Sequence, residues 1–155
     1  MAVSVQLSRE AMKPPFYSSL QYYVDAHRVK DFSPASVRRM VREIRADKLP
    51  DPAEVASAGS FFKNVYLDGE ARREAEAKGI PVWPGGKVPA GWLIEHAGLK
   101  GREFDGFRVS DKASLILINE SASSYEDLTK ARQAIVDAVR EKFGFVLEQE
   151  PVEIG

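Results

Sequence analysis

Residues 124–144 carry a complete helix signature, and it limits what the rest of the chain can build. Ser124 followed three residues later by Asp127 has the capping-box form, with Asp in the place of Glu. Leu128, Ala131, Ile135, Ala138 and Val139 then recur at helical spacing, and Gly144 supplies a stop. A helix with one apolar stripe must bury that stripe against another layer. The segments offered for that layer are short: residues 61–67, 107–109, 114–119 and 145–150, with Gly98, Gly101 and Gly106 marking turns among them. They do not alternate regularly with helices, which argues against a parallel βαβ sheet. The expected class is α+β, an antiparallel sheet packed with helices.

The N-terminal third reads differently. Val3, Val5 and Leu7 alternate with Ser4 and Gln6, the pattern of a strand with one apolar face. Lys13-Pro14-Pro15 blocks regular structure, and residues 17–27 read as a short helix or turn with Leu20, Tyr23 and Val24 inward. A clearer helix follows, with Ser33 as N-cap, Pro34 at the first helical position, and Val37, Met40, Val41 and Ile44 in register to about Asp47. Pro50 and Pro52 stop it. Further on, residues 68–78 read as a polar helix closed by Gly79, residues 80–88 as a Pro- and Gly-rich loop, and residues 90–97 as a helix.

Composition narrows the chemistry. A chain of 155 residues with 44% apolar and 29% charged side chains suits one soluble domain with a core. With no Cys, disulfides, thiol nucleophiles and thiolate metal sites are excluded. His27 and His96 lack metal-ligand spacing, and no metal site is expected. The net charge of −1 gives no reason to expect nucleic acid or an anionic membrane as partner. No apolar run approaches the ~20 residues that span a bilayer, and the start has no signal-peptide pattern, so a cytoplasmic location is expected. Pro84-Gly85-Gly86-Lys87 lacks the outer Gly and the hydroxyl of a P-loop and reads as a turn.

One segment carries candidate chemistry. In Ala58-Gly59-Ser60-Phe61-Phe62-Lys63-Asn64, Gly59 permits a backbone turn, the two Phe rings can anchor the segment, and Ser60 is then held in one place near an ammonium and an amide. A fixed hydroxyl can do proton chemistry. The segment also reads as a turn whose Ser bonds its own backbone, Lys63 as a solvated residue and Asn64 as a turn cap.

Five blocks together, in order, decide the context. They are Lys48-Leu49-Pro50-Asp51-Pro52; Ala58 to Asn64; Pro89-Ala90-Gly91-Trp92-Leu93-Ile94-Glu95 with Ala97-Gly98-Leu99-Lys100-Gly101; Leu115 to Asn119; and Phe143-Gly144 with Leu147-Glu148-Gln149-Glu150 and Ile154-Gly155. With these blocks the chain resembles the C-terminal part of the UDP-N-acetylenolpyruvoylglucosamine reductase family, flavin enzymes of peptidoglycan synthesis. The resemblance implies that residues 1–47 are a linker and helical segment from the end of the flavin-domain region. Residues 48–155 would be the substrate-binding domain. It implies FAD and NADPH in the complete enzyme, none held tightly by this chain, with flavin contacts in a missing N-terminal half supplied in cis or in trans.

The resemblance also implies site roles. Ser60 is the proton donor to UDP-N-acetylglucosamine enolpyruvate, and Glu150, the second Glu of Leu147-Glu148-Gln149-Glu150, stabilises the intermediate. To assist an already negative substrate group, Glu150 should be protonated or share a proton, which calls for burial or a neighbouring like charge. Beside Ser60, the Lys63 ammonium and the Asn64 amide are candidates to bind substrate and supply part of the stabilisation of the developing alkoxide. Tyr17 and Lys48 contact the UDP part, and Trp83 falls roughly in the loop where some relatives carry a Tyr that folds over the diphosphate. Val65, Ser57 and Ala113 depart from the family pattern, and Lys112 or Ser114 would have to replace a substrate contact at position 113. Among non-enzyme readings, the basic run Arg38, Arg39, Arg42, Arg45 and Lys48 suits a stand-alone module binding RNA or an acidic partner, although Glu43 and Asp47 interrupt it and aromatic interleaving is absent.

Overall fold

The apolar side chains sort into two cores, and the backbone divides with them into Met1–Lys48 and Leu49–Gly155. The computed structural model describes residues 3–6, 10–51 and 53–153, so Leu7, Pro52, Ile154 and Gly155 lie outside the described residues.

In the first unit α1 (Ser18–His27) and α2 (Pro34–Lys48) bury Leu20, Val24, Val37 and Met40 against each other. Helical spacing places these side chains on one face of each helix, and α1 ends where Arg28 turns left-handed (φ 51°). Before α2, Asp31 accepts from the Ser33 amide at 2.9 Å, and Ser33 Oγ in turn accepts from the Ser36 amide at 3.4 Å. The strand expected from Val3 and Val5 is absent. Residues 3–6 carry no regular structure, and the two Val side chains are 83% and 72% exposed. Alternation specifies one apolar face but supplies no partner strand, and a strand without a ladder does not persist.

The second unit is α+β, as the sequence predicts. Its elements are β1 (Ala56–Ser60), β2 (Val65–Tyr66), α3 (Gly69–Ala77), a 3-10 turn at Pro84–Gly86, β3 (Lys87–Val88), α4 (Ala90–His96), β4 (Glu103–Phe104), β5 (Phe107–Val109), β6 (Ile116–Asn119) and α5 (Tyr125–Phe143). Four strands form an antiparallel sheet in the order β1-β6-β5-β4, and β2 pairs with β3. Helix α5 buries Ala131, Ile135 and Val139 in the same core as Val109 and Leu117 of the sheet. Each of those aliphatic side chains is worth about 1.5–3 kcal/mol when fully removed from water, Ala less. The capping box is present at both of its bonds, and Gly144 ends the helix at φ 79°.

Two strand expectations are corrected. Within residues 61–67 only Val65–Tyr66 is a strand, and the longer strand lies earlier, at Ala56–Ser60. Ala-Ser-Ala-Gly-Ser has little strand propensity, but the apolar β6 supplies a ladder for it. Residues 145–150 alternate in burial, with Leu147 inside and Glu148 and Glu150 outside, yet they form a single bridge, Gln149 to Phe62.

Candidate active site

Ser60 is the last residue of β1 and exposed. Across the ladder Ser57 opposes Ile118 while Ser60 opposes Ile116, so β1 carries one extra residue between them. Gly59, at φ +75°, absorbs it. The turn expected at Gly59 is therefore a bulge inside an edge strand, a device that re-aims the side chain that follows. Ser57 Oγ accepts from the Gly59 amide at 3.1 Å and fixes the bulge locally.

The two aromatics behave as anchors. Phe61 and Phe62 are buried and meet edge to face at 5.0 Å. Their backbone is tied on two sides: Phe61 N donates to Leu115 O at 2.9 Å, Glu150 N donates to Phe61 O at 2.9 Å, and Lys63 N donates to Glu148 O at 2.8 Å. Glu150 is thereby bonded to the residue next to Ser60, although 90 positions of numbering separate 60 from 150.

Lys63, Asn64, Val65, Tyr66, Val146, Glu148 and Glu150 line an open cleft of about 470 Å³. Ser60 and Trp83 are not part of that lining. Lys63 Nζ pairs with Glu148 at 3.3 Å, both side chains more than half exposed. Such a pair contributes about 0–1 kcal/mol, so little holds the ammonium away from another anion. Asn64 does cap, as one sequence reading has it, but the group it caps is distant: its Oδ1 accepts from the Ala90 amide at 3.0 Å, satisfying the first free N–H of α4. That leaves its NH₂ as the side available to donate. Glu150 is exposed, so this chain alone does not bury it; the like charge of Glu148 lines the same cleft.

Trp83 is half exposed at the start of the Pro84–Gly86 turn, with Lys87 Nζ 4.5 Å from its ring centroid. A Cβ on Gly86 would meet Leu67 O at 2.0 Å, so the bare backbone there serves a close approach of the chain to itself. The helix that follows, α4, has its leading amide taken by Asn64. At the family departure, Ser114 is buried with its Oγ 3.4 Å from Glu95, which commits it, whereas Lys112 is exposed.

Tyr17 and Lys48 belong to the first unit. Tyr17 is exposed just before α1, and Lys48 Nζ donates to Ser19 Oγ at 2.7 Å beside a groove of about 500 Å³ lined by Ser18, Ser19, Tyr22, Tyr23 and Lys48 among others. Arg38, Arg39, Arg42 and Arg45 are all exposed on α2. Both histidines close helices in one manner: His27 Nδ1 lies 3.0 Å from Tyr23 O and stacks on that ring, and His96 Nδ1 lies 2.9 Å from Trp92 O and stacks likewise. Among the described residues no group of three or more His, Cys, Asp or Glu is arranged to hold a metal ion.

A family model described as UDP-N-acetylenolpyruvoylglucosamine reductase, C-terminal domain, matches residues 51–154. The UDP-N-acetylenolpyruvoylglucosamine reductase of Chromobacterium violaceum is 37% identical over 157 residues, covering 97% of this chain and 46% of that protein. The protein of the same name from Vibrio vulnificus is 34% identical, covering 97% and 44%. That from Xanthomonas oryzae pv. oryzae is 41% identical over 128 residues, covering 78% and 38%. The chain thus spans under half the length of these curated relatives. On the match to residues 51–154 and on these identities, the chain belongs to the UDP-N-acetylenolpyruvoylglucosamine reductase family, in the region of its C-terminal domain.

Proposed function

We propose that this chain is the substrate-binding and proton-donating part of a reductase that converts UDP-N-acetylglucosamine enolpyruvate to UDP-N-acetylmuramate for peptidoglycan synthesis in the cytoplasm. A flavin reduced by NADPH, held in this proposal by residues outside this chain, would supply the hydride for the outer carbon of the enolpyruvyl double bond. What remains for this chain is the proton on the neighbouring carbon. The Ser60 O–H bond breaks as the new C–H bond forms, and water later returns the proton to the alkoxide.

Serine is a weak acid, so the step depends on placement and on positive or hydrogen-bonding groups nearby. Lys63, readily released from Glu148, and the Asn64 NH₂ supply them in this proposal. Glu150, in this proposal, stabilises the intermediate in which charge moves onto the substrate carboxylate. The observation that supports this division of roles is the bond from the Glu150 amide to Phe61 O, which joins the two family motifs one residue from Ser60. Tyr17 and Lys48 contact the UDP part, the Lys as a point charge for phosphate. Trp83 contributes an exposed indole from its loop.

Titration with a UDP-sugar tests the binding half. A charge-assisted hydrogen bond is worth about 1.5–3 kcal/mol, so Lys48→Ala should weaken binding about 10- to 100-fold. Arg42→Ala, on the same helix, should change it much less. Equal effects would remove Lys48 from the site, and salt-sensitive RNA binding with no UDP-sugar binding would make α2 a nucleic-acid face instead.

A further inference from the structure

Glu150 sits on a segment with almost no regular structure, yet the role proposed for it demands a fixed carboxyl. From one side the segment is held by two backbone bonds, Lys63 N to Glu148 O and Glu150 N to Phe61 O. From the other side α5 reaches it. Arg132 Nη1 donates to Gln149 Oε1 and, at 2.7 Å, to Glu153 Oε1. Gln149 Nε2 donates to Pro151 O at 3.0 Å and to Glu153 Oε1 at 2.9 Å. The Gln149 side chain therefore bridges over Glu150 to the carbonyl beyond it and closes a ring around that residue. The Arg132 side chain is only 23% exposed, which limits competition from water. The Tyr125 hydroxyl, then Arg132 and Gln149, hold the Glu153 carboxyl below its usual range.

We propose that Arg132 is a positioning residue: through Gln149 and Glu153 it locks residues 149–153 to α5, and so sets where the Glu150 carboxyl stands relative to Ser60. This rests on the role proposed above for Glu150. Helix α5 is 19 residues long and capped at both ends, so it offers a stiff reference for a segment that has none of its own. A guanidinium suits the task because both bonds leave Nη1, whose two N–H groups are fixed in the guanidinium plane, where an ammonium would rotate freely.

The test uses the complete protein, with its flavin-bearing part in cis or in trans, and stopped-flow reoxidation of reduced flavin by the enolpyruvyl substrate. A misplacement of about 1 Å costs about 10²-fold, so Arg132→Ala should slow reoxidation by about 10- to 100-fold while NADPH reduction of the flavin stays normal. Gln149→Leu, similar in shape, should do the same and carries the test alone if Arg132→Ala does not fold. In a Glu150→Ala background the Arg132→Ala effect should shrink to less than about threefold, because a residue acting through a carboxyl cannot act once it is gone. Amide hydrogen exchange at Glu150, read without turnover, should quicken in both clamp variants. An unmodified reoxidation rate, an equal effect in both backgrounds, or unchanged exchange would each overturn the proposal. If Glu150→Ala alone reoxidises at the unmodified rate, the role of Glu150 itself is wrong, and that single variant shows it.

Discussion

Asp127 shows how far one residue can be followed from sequence to measurable behaviour. Its carboxylate is held below the ordinary 3.8 by the Ser124 hydroxyl and then by the Ser123 and Ser124 amides. A depressed folded value means the contribution to stability is complete above the unfolded value of about 3.9 and is lost as pH falls through the folded one. The gap in urea midpoint between the unmodified protein and Asp127→Asn should therefore close as pH is lowered from 6 toward 2. A gap that stays constant would locate the effect elsewhere. Ser124→Ala removes the reciprocal cap and should cost about 1 kcal/mol at neutral pH. This box was legible because its partners are three residues apart. The capping of α4 by Asn64 was not, since 26 positions separate the Asn from the amide it satisfies, and nothing local to either residue signals the other.

At the scale of elements, the strongest patterns were those that one segment supplies unaided. Helices α2 and α5 and strands β5 and β6 follow from spacing, caps and apolar content. Strand β1 does not, because Ala-Ser-Ala-Gly-Ser becomes a strand only by bonding to β6, whose Ile116, Leu117 and Ile118 are buried. Glycine substitutions separate two physical reasons for an element's shape. Gly59 in the β1 bulge has no atom within 4 Å of its missing Cβ, so Gly59→Ala carries only the left-handed backbone cost of about 1–2 kcal/mol. Gly86 has the same positive φ and also Leu67 O at 2.0 Å, a backbone atom that cannot swing aside. Gly86→Ala should therefore lower the thermal midpoint clearly more than Gly59→Ala, as differential scanning calorimetry can measure. Equal shifts would mean that the 83–87 turn moves freely and does not hold β3 against β2.

For the whole molecule, the family was legible because five blocks occur in order, and the match over residues 51–154 bears it out. What joins those blocks was not legible: the bond from Glu150 to Phe61 and the clamp by Arg132 link residues far apart in the chain. In the proposed division of labour the flavin lies elsewhere, so the purified chain should retain no stoichiometric visible flavin absorbance after desalting. Retention of one flavin per chain would count against that division. The central claim is that Ser60 delivers the proton and has no part in reducing the flavin. With the flavin-bearing part present, Ser60→Ala should leave NADPH reduction of the flavin nearly normal. Its reoxidation by enolpyruvyl substrate should slow by about 10²- to 10⁴-fold, the usual loss when a general acid is removed. Stopped-flow absorbance separates the two half-reactions, and reoxidation of Ser60→Ala at the unmodified rate would contradict the assignment, leaving Ser60 as part of a structural bulge.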